Sequence, residues 1–182
     1  MIGVPIKINM PSPGSVVLDR LPVHAIALRS LMSVLKTLNV KIFKCLDCRG
    51  TKRLPDFPSS VRVIECRFCE HLLELPELPP ALEVLKLHGC ENMKDDFHEI
   101  PLPASLQQLQ LVSAPNITRL QATLPSGLCL LNVSGCAFLT ELPNLPSTLR
   151  YLNCSFCWRL RPPSLPSSVV TYVGDQVGYL LQ

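Results

Sequence analysis

Charge is scarce in this chain of 182 residues. Asp, Glu, Lys and Arg together make up 17% of it, and 17 bases against 14 acids leave a net charge of +3. So mild an excess argues against a nucleic-acid or anionic-membrane surface, which needs clustered cations. Aromatic residues are scarce too, at 5%, which removes the stacking platform that single-stranded nucleic acid favours. No apolar run reaches the roughly 18 residues that read as a membrane span. The N-terminal stretch MIGVPIKINMPSPGS has a single lysine, no apolar core of signal-peptide length and no small-residue cleavage site. A secretory signal of the usual kind is therefore not expected.

What is present is a core. Apolar residues make up 47% of the chain, enough to bury a sizeable interior and too many for a disordered segment. Two residue types stand out. Eighteen prolines are about twice the average share, yet the chain is not of low complexity. Nine cysteines are an odd number, so a complete set of intrachain disulfides is impossible. Without a signal peptide, reduced thiols in a cytoplasm are the simpler expectation.

Three of the cysteine pairs have the C-x-x-C form: CLDC from Cys45, CRFC from Cys66 and CSFC from Cys154. Taken singly they read as zinc knuckles or redox sites. Their surroundings repeat, however. VKIFKCLDC from Val40, VRVIECRFC from Val61, LEVLKLHGC from Leu82, LQQLQLVSA from Leu106, LCLLNVSGC from Leu128 and LRYLNCSFC from Leu149 align at spacings of 21, 21, 24, 22 and 21 residues. Each has apolar residues at positions one, four and six and Cys, once Ala, at position nine. A seventh, incomplete copy, PSSVVTYVG, begins at Pro166. Such self-similarity defines a solenoid in which one coil cannot close a core alone and stacking must do so.

The pattern predicts a short strand in each coil, its alternate side chains pointing in and out. Position nine turns the corner and must satisfy buried backbone groups; Cys is a small apolar choice with a weak S–H donor. The proline-rich return path suits an extended segment, since about 21 residues cannot hold a strand plus a long helix. The expected fold is thus a β-dominated α/β repeat solenoid with a concave parallel sheet and an extended convex side. Residues 40–175 carry the repeats, 1–39 form an N-terminal extension, and 176–182 a tail. Within the extension, PVHAIALRSLMSVLKTL places Ile26, Leu28, Leu31, Leu35 and Leu38 near one helical face. It reads as a cap helix or as a degenerate repeat. Tyr179, Leu180 and Leu181 either fold back over the last coil or lead into a longer protein.

The repeats resemble the leucine-rich-repeat superfamily pattern L-x-x-L-x-L-x-x-N/C-x-L. LPELPPALEVL and LPNLPSTLRYL are similar to the L-P-x-L-P coils of bacterial type III secreted effectors. LEVLKLHGCENM is similar to the C-terminal repeats of plant TIR-type immune receptors. Both resemblances imply a curved, right-handed solenoid that binds another macromolecule. Some such effectors carry a helical ubiquitin-ligase domain with a C-x-D motif. Cys45-Leu46-Asp47 matches the string, but it lies inside a repeat. Plant receptors carry a nucleotide-binding domain, and no G-x-x-x-x-G-K-[ST] occurs here.

The outward strand positions are the expected binding surface. Position five reads Lys44, Glu65, Lys86, Gln110, Asn132, Asn153; position seven reads Leu46, Arg67, His88, Val112, Ser134, Ser155; position three reads Ile42, Val63, Val84, Gln108, Leu130, Tyr151. Mixed charge gives way to amides and hydroxyls beside an aliphatic row, a composition that fits a protein partner. Lys44, Glu65, Arg67, Lys86, His88, Gln110, Asn132, Tyr151 and Asn153 are the candidate partner-binding residues. The insertion ENMKDDFHEIPLP places Asp95, Asp96, His98 and Glu99 close together, but no nucleophile or second cluster accompanies them. It reads as a solvated convex loop or, as a functional alternative, a partner-contact loop. No catalytic residue, cofactor or metal is expected, and the pattern specifies no oligomeric state. The leading expectation is a non-enzymatic recognition module, the alternative a recognition fragment of a larger ligase or receptor. The thiols are expected to be core residues, with Cys129 at position two the most exposed. Thiol titration in denaturant should then count nine thiols, and elemental analysis should find no stoichiometric zinc.

Overall fold

Inward-pointing apolar pairs determine where the strands fall. The computed structural model describes residues 7–19, 39–48, 50–95, 97–121 and 123–174. The cap-helix segment and the C-terminal tail lie outside them. Positions four and six are buried in every full coil: Phe43 and Cys45, Ile64 and Cys66, Leu85 and Leu87, Leu109 and Leu111, Leu131 and Val133, Leu152 and Cys154. The pairs sit in strands β3 (Ile42–Leu46), β4 (Val63–Arg67), β5 (Val84–His88) and β6 (Gln108–Val112); in the shorter β7 (Leu130–Asn132) and β8 (Tyr151–Asn153) the strand holds position four, and Val133 and Cys154 come directly after it. The incomplete copy supplies β9 (Thr171–Val173).

The sheet begins before the first complete repeat. β1 (Lys7–Asn9) pairs antiparallel with β2 (Ser15–Asp19), which lies parallel to β3 in the register Ser15↔Ile42 through Asp19↔Leu46. The nine strands follow one another in chain order, and β2 to β9 form a parallel β-solenoid sheet. Among the described residues the one helical element is a 3₁₀ turn at Phe97–Glu99.

The corners repeat as faithfully as the strands. Position eight is left-handed in all six coils, with positive φ at Asp47, Phe68, Gly89, Ser113, Gly135 and Phe156. Glycine is the easiest fit at Gly135, where a Cβ would come within 3.2 Å of Ser113 Cα and 3.3 Å of its nitrogen and the neighbouring backbone would have to shift. Position nine follows and points inward. The Cys69, Cys136 and Cys157 thiols donate to the carbonyls of Cys45, Leu111 and Val133, each at position six of the preceding coil. Cysteine therefore meets the corner's hydrogen-bonding demand, as the sequence pattern predicts.

The prolines have an equally regular task. Three residues before each strand-opening apolar residue stands Pro58, Pro79, Pro103, Pro125, Pro146 or Pro166. Its carbonyl accepts the N–H of Val61, Leu82, Leu106, Leu128, Leu149 or Val169 at 3.0–3.1 Å. Proline is well placed here because the turn uses its oxygen and its fixed φ, and never asks for an N–H. In three coils a hydroxyl just before the strand binds backward: Ser60 Oγ to Val40 O (2.8 Å), Ser105 Oγ to Leu82 O (2.7 Å) and Thr148 Oγ1 to Leu128 O (2.9 Å).

The insertion is better anchored than a solvated loop. Met93 and Phe97 are buried in the core, and the Asp95 carboxylate accepts the Thr118 N–H (2.7 Å) and hydroxyl (2.5 Å) of the next coil. Exposed Lys94, Asp95, His98 and Glu99 thus flank two apolar side chains that hold the segment down. Asp96 lies outside the described residues.

Leu109 is fully buried at the middle of the sheet. Truncation by Leu109→Ala should cost about 2–5 kcal/mol. Urea unfolding followed by circular dichroism measures it, with Ser105→Ala expected to cost about 1 kcal/mol.

Candidate functional site

Strand register brings the outward residues together. Lys44 stands opposite Glu65, Glu65 opposite Lys86, and Lys86 opposite Gln110. Gln110 then meets Asn132, and Asn132 meets Asn153. All nine candidate residues lie in the sheet, from β3 to β8, on the side facing away from the core.

Glu65 organises the first coils. Its residue is only 5% exposed although it lies on the outward face. Lys44 Nζ reaches one carboxylate oxygen at 2.9 Å, and Arg67 Nε reaches the other at 2.5 Å. Burial alone would raise this carboxyl; the Lys44 ammonium and Arg67 guanidinium outweigh it and hold it below the ordinary carboxylate range. The two cations remain partly exposed, at 38% and 48% of their side chains. The triad thus offers two fixed positive groups over a buried anion.

His88 is the hinge between charged and neutral coils. Its Nε2 lies 3.1 Å from Gln110 Oε1. Burial, aided by the Arg67 and Lys86 cations, lowers its pKa despite that hydrogen bond. The ring is therefore neutral at pH 7 and adds no charge to the surface.

The later coils present amides whose oxygens are already engaged. Asn132 Oδ1 accepts the Ser134 N–H at 3.0 Å; Asn153 Oδ1 accepts the Ser155 N–H (3.0 Å) and hydroxyl (2.7 Å). Asn153 Nδ2 lies 3.4 Å from the Tyr151 hydroxyl. Each asparagine thereby closes the turn after its strand.

The cysteine columns have a different character. The sulfurs of Cys45, Cys48 and Cys69 lie within 4.8 Å of one another, all buried. A metal or nucleophilic role requires thiolate. Here the Cys48 thiol donates to Leu46 O and that of Cys69 to Cys45 O, both at 3.4 Å. Hydrogen bonding among the thiols, with burial second, pushes Cys45, Cys66 and Cys90 above the ordinary thiol range. Burial pushes Cys136 up to about 12. The same thiol–thiol hydrogen bonds lower Cys69, so the reading as core thiols rests on burial and on the carbonyl acceptors. Cys129 alone of the nine is not buried, in line with its sequence position.

Sequence reasoning missed one cluster altogether. Phe138, Phe156 and Trp158 are exposed beyond the ends of the last strands, and Phe68 occupies the Phe156 position four coils earlier. The available signal was an aromatic at position eight, where Gly stands in two coils.

The molecule defined by these features is a parallel β-solenoid repeat protein with a mixed polar and aliphatic outward face. No protein-family model matches the chain, and no curated protein matches it in sequence. No helix among the described residues is long and apolar enough to cross a membrane.

Glu65 sets a pH dependence whose sign follows from linkage. Its folded pKa is depressed below the ordinary glutamate value of about 4.3. Its contribution is therefore present above that value and lost as pH falls through the folded pKa. Glu65→Gln should cost about 1 kcal/mol at pH 7, given that both partners are partly solvated. The gap to wild type should close on acidification below about pH 4; urea midpoints across pH 3–7 check it.

Proposed function

We infer that this chain is a leucine-rich-repeat recognition module that binds a protein partner through the concave, outward face of its sheet and performs no chemistry itself. The observation that carries this reading is the column arrangement. Ile42, Val63 and Val84 run beside Lys44, Glu65 and Lys86, in register one coil apart. An aliphatic row flanked by held charges supplies both contact area and register for a protein surface. Nucleic acid fits less well, because the Glu65 carboxylate sits among the cations.

The L-P-x-L-P coils support a bacterial effector acting in a host cell's reducing cytoplasm, with a part in virulence or innate immunity. The same doublets occur in ligase effectors, so the runner-up is the substrate-recognition portion of a ligase or an immune receptor. Whether the reading frame continues beyond these residues separates the two.

Affinity capture from host-cell extract tests the surface. Reversing Glu65, Arg67 and Lys86 together should abolish capture of the specific partner. Reversing the Arg62–Glu83 pair, bound at 2.7 Å at the strand entrance, should leave it intact. Undiminished capture by the triple variant would sink the proposal, provided its circular dichroism matches wild type.

A further inference from the structure

The corner of the last coils carries a surface that the fold does not explain. Phe156 has a φ of 59° and remains 57% exposed. A bulky residue in the left-handed region costs about 1–2 kcal/mol, and exposure forgoes the burial that would offset it. Gly89 and Gly135 occupy the same position without that cost. Trp158, the only tryptophan in the chain, is 68% exposed. Its ring lies edge-on to Phe156 with centroids 5.8 Å apart.

The neighbouring residue adds charge. Arg159 stacks on the exposed Phe138 of the preceding coil, its guanidinium carbon 4.7 Å from the ring centroid. Stacking fixes the guanidinium plane and leaves its edge N–H groups available for bidentate contact with a carboxylate. Two residues on, Arg161 lines an open groove of about 480 Å³ with Leu142, Pro143 and Leu165. Glu141 lies in that groove, but no Asp or Glu occurs from Leu142 to Gly174. Trp and Arg are the residue types that dominate binding hot spots.

We propose that Phe156, Trp158, Arg159 and Arg161 form a second docking site, distinct from the outward sheet face, for an acidic segment of a partner protein bearing an apolar anchor. The anchor packs on the Phe156–Trp158 pair, and the segment's carboxylates meet Arg159 and Arg161. The occupant's acidity follows from the cations; its apolar anchor follows from the strained, exposed ring.

The sole tryptophan makes the site readable. The probe is a random peptide library displayed on phage and selected against the immobilised full chain. Enriched peptides are then synthesised and titrated while Trp158 emission is recorded. The expected consensus combines Asp or Glu with a large apolar residue. Binding should shift the emission to the blue, weaken with salt, and fall about tenfold or more in Trp158→Ala and in the Arg159→Glu, Arg161→Glu double variant. Lys86→Glu should bind the same peptides as wild type does, which separates this site from the sheet face. The proposal is overturned if enriched peptides are basic, if they bind the variants equally well, or if nothing is enriched. It is equally overturned if phosphatidylserine vesicles shift the emission as strongly as the peptides, or if dilution of the chain alone shifts it, revealing self-association. Finally, the full chain with Tyr179, Leu180 and Leu181 all changed to Ala should keep the wild-type emission before any peptide is added. A red shift there would assign the patch to the chain's own tail.

Discussion

Parallel, in-register stacking makes each residue the neighbour of its own equivalent one coil away. The buried and the outward columns of this molecule both follow from that constraint. A side chain that repels its own kind cannot repeat in a column, whereas one that packs or hydrogen-bonds with its own kind can. Leucine and cysteine satisfy the condition inside, and so the buried columns hold Phe43, Ile64, Leu85 and Leu109 at one level and Cys45, Cys66, Leu87 and Leu111 at the next. Outside, like charges fail it. The position-five column accordingly alternates Lys44, Glu65, Lys86 and then turns to uncharged amides. The strand entrance does the same on a smaller scale with Arg62 and Glu83.

The constraint also explains why so much was legible from sequence. Period-two alternation within a strand, repeated at a near-constant spacing, specifies both which residues share a face and which share a column. The predicted columns match the observed register throughout positions three and five, and at position seven from Leu46 to Val112. The early strands were hidden for a concrete reason. In the register of β2 with β3, Val16 and Leu18 take positions four and six, which places Pro13 where position one should be apolar and able to donate its N–H. The template therefore fails at its first residue, although the strand itself is sound. The burial of Glu65 was hidden differently, since it depends on Lys44 reaching across one coil and Arg67 folding back along the same strand. Neither rotamer is written in a repeat pattern.

The C-x-x-C pairs show how a strong local motif yields to its context. Position six ends the inward row of the strand and position nine turns the corner, so a spacing of three is geometric and carries no chemical meaning of its own. What cysteine contributes is specific nonetheless. At position nine it is small enough for the corner, and in Cys69, Cys136 and Cys157 it still donates to the position-six carbonyl of the coil before. Ala114 stands in the same place in one coil and is equally buried. Packing is therefore the stricter demand, and the S–H bond is the smaller, additional gain.

The two kinds of surface differ in how freely the fold lets them vary. Outward strand positions are coupled to their neighbours through register, so a change at Glu65 alters the setting of both Lys44 and Arg67. Corner positions are coupled mainly to backbone conformation. Asp47, Phe68, Ser113 and Phe156 all accept the left-handed geometry that Gly89 and Gly135 adopt without strain, and the core beneath them is unchanged. A solenoid can thus carry aromatic groups at a corner for a modest conformational cost, without disturbing the columns that hold it together. Sheet face and corner are separable by mutation for this reason: one is built into the stacking, and the other is added to it.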